Sequence, residues 1–256
     1  MPSAPGNLDI LAIAAHRDDV EQTCGGTLLK MAQRGQRTGI LDLTQGEMGT
    51  RGTAEDRARE ATDAATVLNV AWRRALDIPD GRVENTWENR LKVASVIRET
   101  RPRVVILPYW KGRHPDHYTC SVLGYEACFL AGLSKLDPQS GLSNRPAVGE
   151  PATKFAPHRP FKIIYATLYY DVRPTFVVDI SEQFKQKVAS IFAYKSQYND
   201  QDAGKDIFPA HDEIHARVES MARYYGALGG VTYAEPFLQK EVGLVEDLLA
   251  IPVKSI

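Results

Sequence analysis

The chain contains a short apolar run that passes without a break into four consecutive ionisable side chains. Residues 10–15 read ILAIAA, which is typical of a buried strand, and His16, Arg17, Asp18 and Asp19 follow directly. Adjacent carboxylates repel each other unless a positive group lies close to them. A strand that ends in such a cluster therefore predicts a site that holds a cation or a substrate.

Composition limits the classes of protein to which the chain can belong. Its 256 residues are 43% hydrophobic and 25% charged, with a formal net charge of -1, as is typical of a soluble globular protein. The sequence has no basic stripe of the kind that binds nucleic acid and no apolar stretch near the roughly 18 residues that span a membrane. The N-terminus lacks the features of a secretion signal. We therefore expect no nucleic-acid partner and no membrane partner.

The three cysteines indicate a reducing compartment. Cys24, Cys120 and Cys128 are odd in number and have no C-x-x-C spacing, which argues against a disulfide framework. We expect free thiols and a cytoplasmic protein.

Strand-like and helix-like segments alternate in the first half of the chain. Short β-branched-rich runs predict strands at residues 10–15, 39–44, 73–78, 103–109, 162–170 and 175–180. Helical spacing separates the first four of these runs, at residues 20–34, 54–68 and 84–100. This alternation predicts an α/β, Rossmann-like, doubly wound fold, with a mostly parallel sheet and helices on both faces.

The second half of the chain gives a weaker pattern. Residues 136–160 are rich in Pro, Gly and Ser, which predicts a long surface loop and a candidate rim or oligomer contact. The segments after this loop offer too few elements for an independent core. We therefore expect a single domain over residues 1–256 with a C-terminal extension.

A second polar cluster follows the fourth predicted strand. His114, Asp116 and His117 lie in the segment KGRHPDHYTC, directly after the run at 103–109. In a doubly wound sheet of order 3-2-1-4-5, strands one and four are neighbours, and ligands bind where their carboxyl ends flank a crevice. The two polar clusters are therefore expected to converge in space.

The converging residue types are those of a catalytic zinc site. Catalytic zinc takes three protein ligands, imidazole nitrogen and carboxylate oxygen among them, and keeps one position open. His16, Asp19 and His117 are the predicted ligands. Fe²⁺ or Mn²⁺ also suits a site of two histidines and one carboxylate.

The remaining polar residues of the two clusters then acquire catalytic roles. Asp18 is the predicted general base for an attacking water, and His114 is the predicted acid or oxyanion stabiliser. Asp116 is expected to accept a hydrogen bond from His114 and to fix its tautomer.

Each motif alone also has a structural explanation. Asp18 or Asp19 could cap the helix predicted near residue 20, and Asp116 could cap the helix after Pro115. The expected convergence favours a metal site over either explanation.

Two other motifs are not matched by the sequence. The segment HDEIH at 211–215 lacks the register of an H-E-x-x-H zinc motif, and strand one is not followed by the G-x-G-x-x-G of a dinucleotide-binding site.

Four segments resemble a known family. AHRDDVEQTCGGTL, DLTQGEMGTRGTAEDRAREA, LPYWKGRHPDHYTCS and FVVDISEQFKQKVASIFAYKSQY are similar to the PIG-L/LmbE family of zinc-dependent N-acetylglucosamine deacetylases. Within the family, the sequence resembles the bacillithiol branch, which deacetylates N-acetylglucosaminyl malate. The likeness extends from about residue 8 to about residue 240.

The resemblance implies roles that agree with the residue-based interpretation. The family's zinc ligands match His16, Asp19 and His117, its base matches Asp18, and its acid or oxyanion stabiliser matches His114. It also implies a small N-acetylglucosamine conjugate as the substrate and a homo-oligomer, a trimer or a hexamer.

The loop after strand two carries the expected substrate contacts. Arg57 matches an arginine that contacts substrate in relatives, and Arg51 and Glu47 lie in the same loop. Arg57 could instead belong to a surface charge pattern on its helix. We expect Glu47 to bind sugar hydroxyls and Arg51 or Arg57 to meet an anionic malate.

Two departures from the family pattern leave alternatives open. Arg17 replaces the proline that the family usually has between the histidine and the first aspartate, and residues 207–218 contain no tyrosine for an oxyanion role. The leading prediction is a zinc hydrolase that removes acetate from an N-acetylglucosamine conjugate. The alternatives are a deacetylase or amidase of another N-acetyl sugar or thiol conjugate, and a non-catalytic sugar-binding module with a decayed site.

Overall fold

A single sheet organises the protein. The structure, a computed structural model, describes residues 7–137, 155–168, 170–198 and 209–253. Its strands are β1 (Ile10–Ala14), β2 (Thr38–Asp42), β3 (Trp72–Ala75), β4 (Val104–Pro108), β5 (Lys162–Ala166), β6 (Phe176–Asp179) and β7 (Ala234–Leu238). Their order across the sheet is β3-β2-β1-β4-β5-β7-β6.

The strand directions confirm the predicted α/β doubly wound fold. Parallel pairing joins β3, β2, β1, β4 and β5, and β7 runs antiparallel to both β5 and β6. β1 pairs with β4 from Ile10 opposite Val104 to Ala12 opposite Ile106. The carboxyl ends of these two strands therefore lie side by side, as the sequence predicted.

Helices connect the strands. They are α1 (Asp19–Thr23), α2 (Gly25–Gln33), α3 (Ala54–Val67), α4 (Trp87–Thr100), α5 (Pro115–Ala131), α6 (Phe184–Ile191), α7 (Lys195–Tyr198) and α8 (His211–Gly229). No helix in the described part of the chain combines the length and the apolar character needed to cross a bilayer.

Alternate residues of β1 pack into two different apolar cores. Leu11 and Ile13 belong to the core that contains residues of α4 and α5, whereas Ala12 and Ala14 belong to the core that contains Leu28 of α2. Successive side chains of a strand point to opposite faces of a sheet. Both faces are therefore covered, which explains why β1 is apolar at every position.

The predicted helix over 20–34 is divided in two. Its break lies at Cys24, whose φ of -142° is not helical. The buried carboxylate of Glu235 in β7 accepts hydrogen bonds from the backbone amides of Gly26 and Thr27, at 2.9 and 2.7 Å. A Cβ on Gly26 would lie 2.9 Å from Ile180, so only glycine lets this helix end approach β7 so closely.

Two further segments differ from the sequence prediction or lie beyond it. The strand β7 was not predicted, because its sequence AEPFL combines a glutamate and a proline in five residues. Of the predicted loop at 136–160, residues 138–154 lie outside the described residues.

Candidate metal centre and active site

The two polar motifs meet where β1 and β4 end. His16 lies two residues after the end of β1 and Asp19 begins α1, while His114 is the N-cap of α5 and Pro115 takes its first position. Proline suits that position because it needs no amide donor there. The fold therefore brings together residues that are about a hundred positions apart in the chain.

Three side chains bring potential metal ligands to one point. His16 Nδ1 lies 3.2 Å from His117 Nε2. Asp19 Oδ2 lies 3.5 Å from His16 Nδ1, and Asp19 Oδ1 lies 3.3 Å from His117 Nε2. These atoms are one carboxylate and two imidazole nitrogens, the donor set that zinc prefers. His114 is close enough to form a three-histidine group with His16 and His117, with one nitrogen from each within 4.8 Å of the others.

The other ring nitrogen of His16 faces two further carboxylates. His16 Nε2 lies 3.0 Å from Asp80 Oδ1 and 3.3 Å from Asp116 Oδ2, and these three residues could themselves hold a metal ion. However, the Asp116 carboxylate already accepts hydrogen bonds from the amides of Gly81 and Val83, at 2.8 and 3.2 Å. A carboxylate on the far nitrogen of a metal-binding histidine orients that ligand. This arrangement favours Nδ1 of His16 as the metal-facing nitrogen.

Electrostatics indicate that the cluster requires a positive charge. Burial lowers the pKa of His16, but hydrogen bonds to Asp116, Asp19 and Asp80 outweigh it and raise that pKa to about 12. Burial also acts to raise the pKa of Asp19, yet His117 and His16 bring it well below the usual value. Three carboxylates thus surround His16, and a bound cation could replace the proton that neutralises them.

The structure corrects the predicted contact between Asp116 and His114. As N-cap of α5, His114 accepts a hydrogen bond at Nδ1 from the backbone amide of Asp116, at 3.2 Å, and the Asp116 carboxylate turns to His16 instead. Burial, together with the charges of His16 and His117, lowers the pKa of His114. Its neutral ring therefore carries its proton on Nε2, where it can donate a hydrogen bond.

Asp18 is held in a strained and partly buried conformation. Its backbone φ is 101°, a value that residues other than glycine rarely adopt, and its carboxylate caps no helix. Asp18 Oδ1 lies 3.0 Å from Nη2 of Arg57, and Asp18 Oδ2 accepts a hydrogen bond from the hydroxyl of Tyr198, also at 3.0 Å. Burial raises the pKa of Asp18 to about 6, although Arg57 opposes the shift. Arg57 and Tyr198 thereby fix the orientation of this carboxylate.

The two arginines predicted to contact substrate, Arg57 and Arg51, both bind groups of the protein itself. Arg57 is buried, and besides Asp18 it contacts the backbone carbonyl of Arg17. Arg51 is also buried, and its Nη1 donates to the carbonyl of Gln197 at 2.8 Å. Both guanidinium groups thus bind groups of the protein, and their contact with a substrate stays a prediction.

Glu47 and Arg17 contact neighbouring backbone. Glu47 is exposed, but its Oε1 accepts a hydrogen bond from the amide of Asp80 at 2.7 Å. Arg17 donates from Nη1 to the carbonyls of Gln45 and Ala54, at 3.2 and 2.8 Å. Its side chain thus points to the loop between β2 and α3, and the residues on either side keep the order that a metal site needs.

Sequence reasoning missed two residues of the site, Asp80 and Tyr198. Asp80 comes soon after the predicted third strand, so its place at the carboxyl edge of a parallel sheet was a usable signal. Tyr198 belongs to the KSQY segment of the family resemblance and reaches Asp18 across 180 positions. In the HDEIH segment, both histidines are partly exposed on α8, and His211 stacks on Phe192 at 4.0 Å.

A cleft opens beside the candidate ligands. It has a volume of about 450 Å³ including its open mouth, and both Asp19 and His117 line it. Its other lining residues include Thr23, Tyr109, Lys111 and Leu168. Two of the candidate metal ligands, Asp19 and His117, therefore face this cleft.

The chain is similar to known deacetylases. A family model described as PIG-L, GlcNAc-PI de-N-acetylase, matches residues 11–128. The diacetylchitobiose deacetylase of Thermococcus kodakarensis is 30% identical over 240 residues, which cover 88% of this chain and 80% of that protein.

Solved structures share the fold over almost the whole chain. The conserved protein TT1542 from Thermus thermophilus has a TM-score of 0.78 and 37% identity, and the match covers 93% of this chain and 98% of that one. The N,N'-diacetylchitobiose deacetylase from Pyrococcus horikoshii has a TM-score of 0.74 and 25% identity, with 92% and 83% covered. The chain therefore belongs to the PIG-L family and is a hydrolase of the de-N-acetylase type.

Proposed function

We propose that the protein is a metal-dependent N-deacetylase that releases acetate from N-acetylglucosaminyl malate, an N-acetylglucosamine conjugate of bacillithiol biosynthesis. One observation carries the catalytic part of the proposal. The ligand atoms of His16, Asp19 and His117 lie within 3.5 Å of each other. Asp18 stands next to them in the chain, its carboxylate held by Arg57.

His16, Asp19 and His117 are the ligands in this proposal, and Asp80 and Asp116 orient His16. When bound, zinc would act as a Lewis acid towards the amide carbonyl and would lower the pKa of water. Fe²⁺ or Mn²⁺ would suit the same donors.

The protein's own groups then move the protons. Asp18 accepts a proton from the attacking water as the new C–O bond forms, and it passes that proton to the amide nitrogen as the C–N bond breaks. The Nε2–H of His114 donates a hydrogen bond to the oxygen that develops negative charge. The products are acetate and the free amine of the sugar.

The malate conjugate is the finer part of the proposal. It is supported by the GEMGTRGT segment of the resemblance and by the exposed cation Lys111 in the cleft, which would suit an anionic aglycone. Arg57 and Arg51 are engaged within the protein, so the malate contact moves from those arginines to the cleft wall. The relatives named as diacetylchitobiose deacetylases make an uncharged disaccharide the natural competitor.

We further propose an assembly, a cellular location and a domain organisation for the protein. The family resemblance supports a homo-oligomer, a trimer or a hexamer, and the three free buried cysteines support a cytoplasmic location. A single domain over residues 1–256 accords with the way β6 and β7 join the same sheet as β1.

The decisive experiment measures acetate release from N-acetylglucosaminyl malate, diacetylchitobiose and free N-acetylglucosamine by enzyme of known metal content. We expect chelator-sensitive release that favours the malate conjugate, and loss of turnover without loss of metal in Asp18→Asn. Release from diacetylchitobiose alone would keep the mechanism and refute the substrate. Stoichiometric metal without cleavage of any N-acetyl sugar would favour the non-catalytic sugar-binding module.

A further inference from the structure

The C-terminal segment after β7 lies outside the body of the protein. Every residue of this segment, residues 241–253 and here called the C-terminal arm, is exposed. The arm is nevertheless rich in large apolar side chains, and Leu244, Leu248 and Leu249 are 93%, 80% and 94% exposed. A contiguous apolar segment left in water is typical of a surface that a partner covers.

The arm is held in a defined position at its root. Lys240 precedes it, and the ammonium group lies 4.7 to 4.9 Å from the ring centroids of Trp110, Tyr125 and Tyr165. A cation inside three aromatic faces is attracted by each of them. This contact fixes the point at which the arm leaves the body and the direction that it takes.

The arm also has local structure of its own. A single 3-10 turn covers Leu248–Ala250, and the side chain of Asp247 accepts a hydrogen bond from the amide of Leu249 at 2.9 Å. The arm thus presents its leucines on a preformed turn, which lowers the entropic cost of docking.

An apolar groove lies beside the root of the arm. It has a volume of about 1280 Å³ including its open mouth, it lies between α5 and the segment that leads into β5, and we call it the α5 groove. Phe129 and Phe161 line it and are 54% and 80% exposed. Tyr125 lines it as well, and its spacing from Phe129 continues an exposed apolar stripe on α5 formed by Tyr118, Val122, Tyr125 and Phe129.

The arm and the groove carry opposite charge. Residues 245–253 of the arm contain Glu246 and Asp247 and no basic residue, whereas Glu241 lines the groove of its own chain. The groove contributes Arg159, whose guanidinium lies 4.6 Å from the ring centroid of Phe129, and Lys162. Acidic groups that flank leucines therefore match basic groups that flank phenylalanines, which favours this pairing over a random apolar contact.

We propose that the C-terminal arm of one copy of this chain docks into the α5 groove of a second copy. Residues 239 and 241–244 form one wall of the groove on their own chain, while the leucines at 248 and 249 point into water. Every copy carries both surfaces, and in this proposal the exchange is reciprocal: each of two copies places its arm in the groove of the other, so the contact closes about a two-fold axis. The proposal stands independently of the proposed reaction.

The first test is the mass of the full-length protein by light scattering. We expect an assembly in the wild type and a smaller particle, a lower whole multiple of the 28.4 kDa chain, in both Leu249→Asp and Phe161→Asp. Leu228→Asp is the matched control, because Leu228 is 59% exposed on α8, and it should keep the wild-type mass. Equal thermal midpoints would exclude misfolding of the variants. A monomeric wild type, or the wild-type mass in either variant, would overturn the proposal.

The second test separates exchange between copies from docking within one chain. A chain with Leu249→Cys is mixed with a differently tagged chain with Phe161→Cys, after which disulfides are allowed to form. The three native cysteines are buried and should not interfere. A disulfide that joins the two tags supports docking between copies. A chain that carries both Leu249→Cys and Phe161→Cys is tested as well. If its disulfide forms only within one chain, the arm belongs to its own groove and the proposal fails.

Discussion

Arg57 Nη2 lies 3.0 Å from Asp18 Oδ1 and also contacts the carbonyl of Arg17, so one guanidinium holds both the side chain and the preceding backbone of Asp18. Asp18 has a φ of 101°, and a residue in such a region costs about 1–3 kcal/mol unless its surroundings impose the conformation. The two contacts of Arg57 help to impose this conformation on Asp18. We therefore interpret it as a residue that positions Asp18.

Replacing Arg57 should lower kcat with little effect on KM. In Arg57→Ala the carboxylate of Asp18 loses its main cation and its orientation, and misplacement of a catalytic group by about 1 Å costs about 10²-fold in rate. Arg59→Ala is the matched control, since Arg59 lies on the same helix and pairs with the exposed Asp56. Steady-state kinetics on enzyme of equal metal content would show the difference. A rise in KM at constant kcat would instead return Arg57 to substrate binding.

Tyr198 should contribute to turnover through Asp18. Tyr198→Phe removes the hydroxyl that donates to Asp18 Oδ2 at 3.0 Å, and a hydrogen bond to a charged group contributes about 1.5–3 kcal/mol. We expect kcat to fall by about tenfold or more. In a cycle with Asp18→Asn, the two losses should be far from additive, because both changes act on one group. Additive losses would show that Tyr198 acts independently of Asp18, and Tyr224→Phe on the exposed face of α8 serves as the control.

Metal affinity should depend on Asp116 although it is not a proposed ligand. Its carboxylate lies 3.3 Å from His16 Nε2, and loss of such an orienting partner weakens metal binding by about 10- to 100-fold. Competition titration with a chelator should give that loss for Asp116→Asn and complete loss of metal for His117→Ala. Asp212→Asn alters an exposed carboxylate of α8 and should leave the affinity unchanged. Unchanged affinity in Asp116→Asn would remove Asp116 from the metal centre.

The sequence predicted the sheet and the convergence of the two polar motifs because both follow from local pattern and chain connectivity. The apolar run of β1 and its successors marked the strands, and the rules for parallel sheets placed the ends of β1 and β4 together. The meeting of His16 with His117 required no knowledge of side-chain packing.

The partners of individual side chains could not be predicted in the same way. Whether Arg57 faces solvent or Asp18 depends on how α3 packs, and the choice of Asp116 between His114 and His16 depends on the exact cap of α5. Both depend on contacts between distant parts of the chain or on side-chain rotamers, and a local sequence pattern determines neither. The strand β7 was missed for a related reason, because a buried Glu235 is stable only when Lys187 is next to it.

The Lys187–Glu235 pair should be important for stability. Lys187 Nζ lies 2.5 Å from Glu235 Oε1, and both side chains are only 3% exposed. In Glu235→Gln the ammonium keeps no charged partner, and breaking a buried pair in this way costs about 3–5 kcal/mol. Denaturant unfolding should report a loss of this size. Glu213→Gln, which alters an exposed pair with Arg217, should have almost no effect, and equal losses in the two variants would contradict the assignment.

The three cysteines should resist modification in the folded protein. Burial raises the pKa of both Cys24 and Cys128 to about 12 and raises that of Cys120 as well, so almost no thiolate exists at about pH 8. A thiol-reactive chromophore should therefore label none of them in native protein and all three in guanidinium chloride. Leu228→Cys, an exposed position on α8, should add one rapidly reacting thiol and so shows that the reagent is active. Rapid labelling of a native cysteine would mean that its helix opens, and Cys24 would be the informative case, because it lines the cleft beside Asp19.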